Sequence, residues 1–209
     1  MKIFIISELG HNFMCNIRLA KLMVAESKAC GADAVKLQLY DTDKIKKHYH
    51  SRYSELKYSE INKEEFLELK RYADEIGIDL FASAFDAERV AWCEEAGVKW
   101  HKLASRSIND KELIKAMEKT GKPIIASLGM WKDAFEDLPK IKNAQFLYCI
   151  SEYPAYIANG QFPIEFSDDK YAGFSDHTLG TYWCKEAIKR GATIIEKHFT
   201  LDRSLPGPD

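Results

Sequence analysis

Lysine, carboxylate, imidazole and hydroxyl side chains recur at the ends of the short apolar runs of this chain. In order they are Glu8; Lys36 and Gln38; Ser83; Lys102 and Ser105; Ser127; Ser151; Ser175, Asp176 and His177; and Glu196 to His198. A lone lysine or serine in such a place is usually just solvated, but its repetition at eight successive runs is not expected by chance. Two ammonium groups and several hydroxyls converging on one spot suit a substrate that carries phosphate. His177 and His198 end neighbouring runs, so both imidazoles can face a single divalent ion. His48, His50 and His101 have no such context and read as structural or solvent-exposed, and His11 lies near the same spot without an evident partner.

What must position these groups is an alternation of short strands and amphipathic helices. Strands are expected over 2–7, 33–39, 79–85, 99–104, 123–128, 144–150, 171–175 and 193–199. Helices are expected over 16–29, 87–96, 111–120, 132–142 and 181–190. Another starts after Asn62, a plausible N-cap with Glu65 three residues on, and runs through Phe66, Leu69 and Tyr72 to Gly77. Tyr40–Ile61 has no clear period and reads as an insertion after the second strand. Eight such units argue for a parallel sheet under helices, closed as a (β/α)₈ TIM barrel, with a doubly wound open sheet as the alternative. In a parallel barrel the C-terminal strand ends form one mouth, which is where the polar groups stand. Residues 1–209 read as one barrel domain. Only Thr200–Asp209 follow the last strand, which leaves no eighth helix in this stretch and predicts self-association, a homo-oligomer, through that flank, or poor solution behaviour if the chain is a fragment.

The 209 residues are 46% hydrophobic and 30% charged, with a net charge of −2. That apolar and aromatic density excludes intrinsic disorder. No apolar run approaches the roughly 18 residues of a membrane span, and the start lacks a signal-peptide pattern. The balanced charge offers no general attraction to nucleic acid, and the basic cluster Lys44–Lys47 reads as a solvated loop. Five widely spaced cysteines without a CxxC pair fit reduced thiols in a soluble cytoplasmic protein.

Several segments resemble the N-acetylneuraminate (sialic acid) synthase family. The most specific are Gly173-Phe-Ser-Asp-His-Thr178, Ile194-Ile-Glu-Lys-His-Phe-Thr-Leu-Asp202 and Leu205-Pro-Gly-Pro-Asp209. Ser7-Glu-Leu-Gly-His-Asn12, Gly31–Gln38, Phe81–Asp86, Lys102–Ser105, Ser127–Met130 and Cys149–Pro154 match in order, so the similarity runs along essentially the whole chain. The resemblance implies a (β/α)₈ barrel that condenses phosphoenolpyruvate with an N-acyl hexosamine such as N-acetylmannosamine, releasing phosphate and giving a nine-carbon 2-keto acid. It implies a divalent metal, Mn²⁺ or Mg²⁺, held by His177 and His198. It further implies that Lys36, Ser83, Lys102, Ser105, Ser127, Ser151 and Ser175 bind phosphoenolpyruvate. By the same resemblance Glu8 handles protons, Gln38, Tyr153 and Asp209 contact the sugar, and Lys197 only continues its strand.

Three places depart from the family pattern: Asn12-Phe-Met-Cys15 in the first motif, Arg106-Ser107 where the family has Gly and then an acid, and Leu128 where it has Thr. All lie at or beside the expected mouth and bear on sugar specificity. The small antifreeze-like domain that follows the barrel in typical members is not among these residues, so a fragment and a reduced family member both stay open. Two alternatives compete with the synthase. One is a phosphoenolpyruvate aldol synthase acting on another sugar, for which Arg106 is the candidate to meet a sugar phosphate. The other is an inactive binding barrel, against which the joint presence of Glu8, Lys36, Lys102, His177 and His198 argues.

Overall fold

Eight short strands pair side by side in chain order, all parallel, and the last pairs with the first to close a barrel. In the computed structural model, which describes residues 2–45, 48–132 and 137–204, the strands are β1 (Phe4–Glu8), β2 (Ala34–Leu39), β3 (Asp79–Ala84), β4 (His101–Leu103), β5 (Ile124–Ser127), β6 (Ala144–Cys149), β7 (Gly173–Asp176) and β8 (Ile194–His198). Closure, which periodicity left open, is settled by the β1–β8 ladder, in which Phe4 stands opposite Ile194 and Glu8 opposite His198. No helix of the described residues is long and apolar enough to cross a membrane.

The helices are α1 (Ile17–Ala29), α2 (Thr42–Ile45), α3 (Tyr53–Ser59), α4 (Lys63–Ile76), α5 (Ala87–Glu95), α6 (Lys111–Glu118) and α7 (Tyr182–Lys189). Local chemistry sets where they begin. Asn16, Asp86 and Asp110 each accept a hydrogen bond from the backbone N–H three residues on, starting α1, α5 and α6. Asn62 and Glu65 form a reciprocal capping box on α4, and Gly77 ends it in the left-handed region. Helix and strand residues share one apolar core that includes Met23, Phe66, Leu69, Leu37 and Phe81, all essentially buried.

Two expectations need correction. Tyr40–Ile61 is no featureless insertion: Thr42–Ile45 and Tyr53–Ser59 are helical, too short to display a hydrophobic period. The helix expected over 132–142 is not found where the chain is described. Residues 133–136 lie outside the described ones, and 137–142 are not helical. Pro139 falls in that stretch, and its ring and missing N–H oppose a helix interior.

One glycine bears directly on the strand ends. A Cβ on Gly173 would sit 1.9 Å from the Ile194 carbonyl oxygen. The start of β7 therefore packs against β8 more closely than any other residue permits. That contact fixes the pair of strands whose far ends carry His177 and His198.

Candidate active site

Because side chains alternate along a strand, Lys36 and Gln38 on β2, or Glu196 and His198 on β8, share a face. The register sets these faces level: Glu8 stands opposite Lys36 and opposite His198, Gln38 opposite Ser83, Ser83 opposite Lys102, and Ser175 opposite Glu196. The result is a cavity of about 160 Å³ at the C-terminal strand ends, lined by Glu8, both lysines, the five serines, both histidines and Glu196. The structure thus brings together every described residue assigned to the metal, phosphoenolpyruvate or the sugar, including Gln38 and Tyr153, whereas Asp176 and Lys197 are not among the lining residues. Asp209 lies outside the described residues.

The cavity floor is an ionic cluster. Glu8, Lys36, Lys102 and Glu196 are at most 4% exposed. Lys36 Nζ pairs with Glu8 Oε2, donates to Ser83 Oγ at 3.0 Å and stands 3.8 Å from Glu196 Oε2. Lys102 Nζ donates to Ser127 Oγ at 2.8 Å and stands 3.9 Å from the same Glu196 oxygen. Glu196 Oε1 accepts from Ser175 Oγ at 2.8 Å, and Glu8 Oε1 from Gln38 Nε2 at 2.8 Å and the Gly10 N–H at 3.0 Å.

Burial disfavours every charge in this cluster, and the balance differs from group to group. For Lys36 burial pulls the pKa down, but Glu196 and Glu8 outweigh it and hold the ammonium above its ordinary range. Lys102 is lowered, because burial dominates and Lys36 adds repulsion to the pull of Glu196. Burial would raise Glu196, yet the two lysines hold its carboxyl well below the usual range.

The histidines meet across β7 and β8. Their ring centroids are 5.4 Å apart, and Tyr153 stacks on His177 at 4.1 Å. His177 Nδ1 donates to the Ile150 carbonyl at 2.7 Å, and Tyr153 Oη lies 3.0 Å from Nε2. A carbonyl on Nδ1 fixes the tautomer with its lone pair on Nε2, the arrangement that metal-binding imidazoles use. Among the described residues no cluster of three or more His, Cys, Asp or Glu forms a metal site. Two neighbouring imidazoles, with ring centroids 5.4 Å apart, have donor chemistry that suits a divalent ion and leaves room for water and substrate oxygens. Gly129 keeps this side compact: a Cβ there would come 2.4 Å from Ser151 Oγ.

Four contributions were not read from the sequence. Glu196 was visible at a strand end, and its period-two relation to His198 puts it on the site's face, yet nothing in the sequence says that it balances both lysines. Cys149, read only as a reduced thiol, lies 3.5 Å from Ser105 Oγ and 3.8 Å from His177 Nδ1. His11 does have a partner, the Tyr40 hydroxyl at 3.1 Å. Lys197 does more than continue β8, since its ammonium donates to Asp176 Oδ2 at 3.0 Å.

A family model described as the NeuB family matches residues 23–209. An uncharacterised protein of Methanocaldococcus jannaschii is 36% identical over 99% of this chain and 64% of its own length. The N,N'-diacetyllegionaminic acid synthase of Legionella pneumophila is 32% identical over 100% of this chain and 67% of its own length. Among solved structures, an N-acetylneuraminic acid (sialic acid) synthetase from Leptospira borgpetersenii, crystallised with citrate, superimposes with a TM-score of 0.84 at 28% identity. That match covers 98% of this chain and 75% of the other. The chain thus spans about two thirds of the length of the curated relatives it matches.

Proposed function

This chain belongs to the NeuB, or sialic acid synthase, family, and from that premise we propose that it joins phosphoenolpyruvate to an N-acyl hexosamine, N-acetylmannosamine or a relative, to give a nonulosonic acid and phosphate. The observation that carries this reading is one cavity holding two buried lysines, five serine hydroxyls and a facing histidine pair. Relatives bearing the names of legionaminic and sialic acid synthases support the substrate class.

Phosphoenolpyruvate carries a phosphate and a carboxylate. Lys36 and Lys102, with Ser83, Ser105, Ser127, Ser151 and Ser175, supply fixed donors for them at the barrel end. Glu8 and Glu196 keep those ammoniums positioned and desolvated before substrate arrives, so little reorganisation remains at the moment of reaction. C3 of phosphoenolpyruvate attacks the aldehyde carbon, forming the C–C bond, and the aldehyde oxygen takes up a proton. Water adds at C2 and loses a proton. The C2–O bond to phosphorus then breaks with its electron pair leaving on phosphate, while the new hydroxyl becomes the keto group. Glu8, which stands beside Lys36 and opposite His198, would hold the proton that moves. Gln38, Tyr153 and Asp209 orient the sugar.

His177 and His198 would hold Mn²⁺ or Mg²⁺, which when bound polarises the sugar aldehyde as a Lewis acid. We extend the proposal to a cytoplasmic, self-associating protein. Five free thiols and Ile5, 39% exposed on the outer flank of β1, support that setting.

The test is phosphate release from phosphoenolpyruvate by the purified protein over a panel of N-acyl hexosamines. Release that requires one of these acceptors supports the proposal; release with none, or with simple aldose phosphates alone, refutes it.

A further inference from the structure

The ends of β7 and β8 carry a second polar cluster, on the face turned away from the mouth. Asp176 and Lys197 are the last opposed residues of the two strands, and His177 and His198 each follow one residue beyond. Side chains alternate, so the histidines line the mouth while the Asp176–Lys197 pair stands outside it. Asp176 is 1% exposed. Its Oδ1 accepts from the Thr178 N–H at 2.8 Å, and its Oδ2 accepts from Lys197 Nζ at 3.0 Å and from Cys184 Sγ of α7 at 2.9 Å. Lys197 Nζ also donates to the Thr178 carbonyl. Burial, and then Asp176 beside it, raise the pKa of Cys184, so this thiol is a neutral donor. One carboxylate and one ammonium thus grip the residues on both sides of His177 and the residue before His198.

The two histidines are otherwise held toward opposite neighbours. On the β6 side, the His177 carbonyl accepts from the Ala155 N–H at 2.9 Å and its Nδ1 donates to the Ile150 carbonyl. On the β1 side, His198 stands opposite Glu8, and the Phe199 N–H donates to the Glu8 carbonyl at 2.9 Å. Gly173 fixes β7 against β8 only at its start. Tyr153 touches both imidazoles, but its ring is half exposed. A metal site tolerates errors of only about 0.2 Å in its ligand distances, so strand ends free to splay would forfeit affinity.

We propose that Asp176 and Lys197 form a clasp that sets the separation of His177 and His198 for the divalent metal, with Lys197 as a positioning residue. This inference rests on the reading that the two imidazoles hold that metal. An ammonium has three donors, so it spans the Asp176 carboxylate and the Thr178 carbonyl at once. The pair is largely withdrawn from water and keeps its geometry where a surface pair would not.

The test reads Mn²⁺ binding to the purified protein from the loss of the free-ion electron paramagnetic resonance signal, and phosphoenolpyruvate binding by calorimetry, both without catalysis. Lys197→Met should weaken Mn²⁺ binding about tenfold to a hundredfold, the cost of losing a group that orients metal ligands, and leave phosphoenolpyruvate affinity within about threefold. Lys197→Arg keeps the charge and the donors and should restore Mn²⁺ affinity to within about threefold of the parent. Val90→Ala truncates a buried side chain on α5, which packs against β3 and α6; it should lower the urea midpoint and leave Mn²⁺ affinity unchanged. Parent-like Mn²⁺ affinity in Lys197→Met overturns the clasp. So does an equal loss in Val90→Ala, no recovery in Lys197→Arg, or phosphoenolpyruvate affinity that falls as far as that for Mn²⁺. If Lys197→Met does not fold, Lys197→Gln, which keeps a neutral donor, is read in the same way. His177→Ala separates the two claims. Mn²⁺ binding that disappears in His177→Ala but survives in Lys197→Met refutes the positioning role alone. No binding by the parent, or parent-like binding by His177→Ala, refutes the metal reading and the clasp with it.

Discussion

Glu196 stands within 4 Å of two buried ammoniums, at 3.8 and 3.9 Å, and its other oxygen accepts from Ser175. Neutralising it without changing shape leaves Lys36 and Lys102 repelling each other in a desolvated site, so Glu196→Gln should destabilise the fold by about 3 kcal/mol. Urea denaturation checks this, and a loss below about 0.5 kcal/mol would mean that the cluster is not ionic as described. The histidines make a separate prediction. Because lysines and serines hold the phosphate independently of the imidazoles, His177→Ala and His198→Ala should each lose Mn²⁺ binding in calorimetry but keep phosphoenolpyruvate affinity within about threefold. Parent-like Mn²⁺ binding in both variants would place the metal elsewhere. Most of these residues were legible in the sequence because each ends an apolar run. The roles of Glu196 and Cys149 were not, since spacing tells which face a side chain takes and not which charge or proton it meets across the barrel.

At the scale of elements, His101 shows how a strand and a helix share a titrating contact. It is fully buried on β4, and its Nε2 lies 2.9 Å from Glu94 Oε1 on α5. Burial lowers its pKa below the ordinary value, with Glu94 opposing only in part. A folded pKa below the unfolded one means that the unfolded chain binds the proton more tightly. The neutral ring's contribution is therefore intact above about pH 6.5 and is lost as the pH falls through the lower folded value. Relative to the parent, His101→Gln should lose less stability between neutral and mildly acidic pH, as followed by denaturant midpoints. Parallel pH curves for the two proteins would contradict this. Caps such as Asn62 with Glu65 were legible because they are local, and α4 begins where its motif says. The helices within Tyr40–Ile61 and the non-helical 137–142 were not, because short or tertiary-held segments carry too few residues to show a period.

For the whole molecule, parallel strands that alternate with helices announced an α/β architecture, but closure depends on the β1–β8 pairing, a contact between the chain's distant ends. That closure is what turns eight separate strand ends into one mouth and sets Glu8 beside both Lys36 and His198. In the proposed synthesis carbon joins carbon at C3, and phosphate departs by cleavage at C2–O. The most direct measurement uses phosphoenolpyruvate labelled with ¹⁸O in the bridging position, together with an N-acyl hexosamine acceptor, and follows both products by mass spectrometry. The expected result is one phosphate carrying the bridging label for each 2-keto acid formed, and no phosphate without the acceptor. Label retained in the organic product, or phosphate released with no acceptor present, would contradict it.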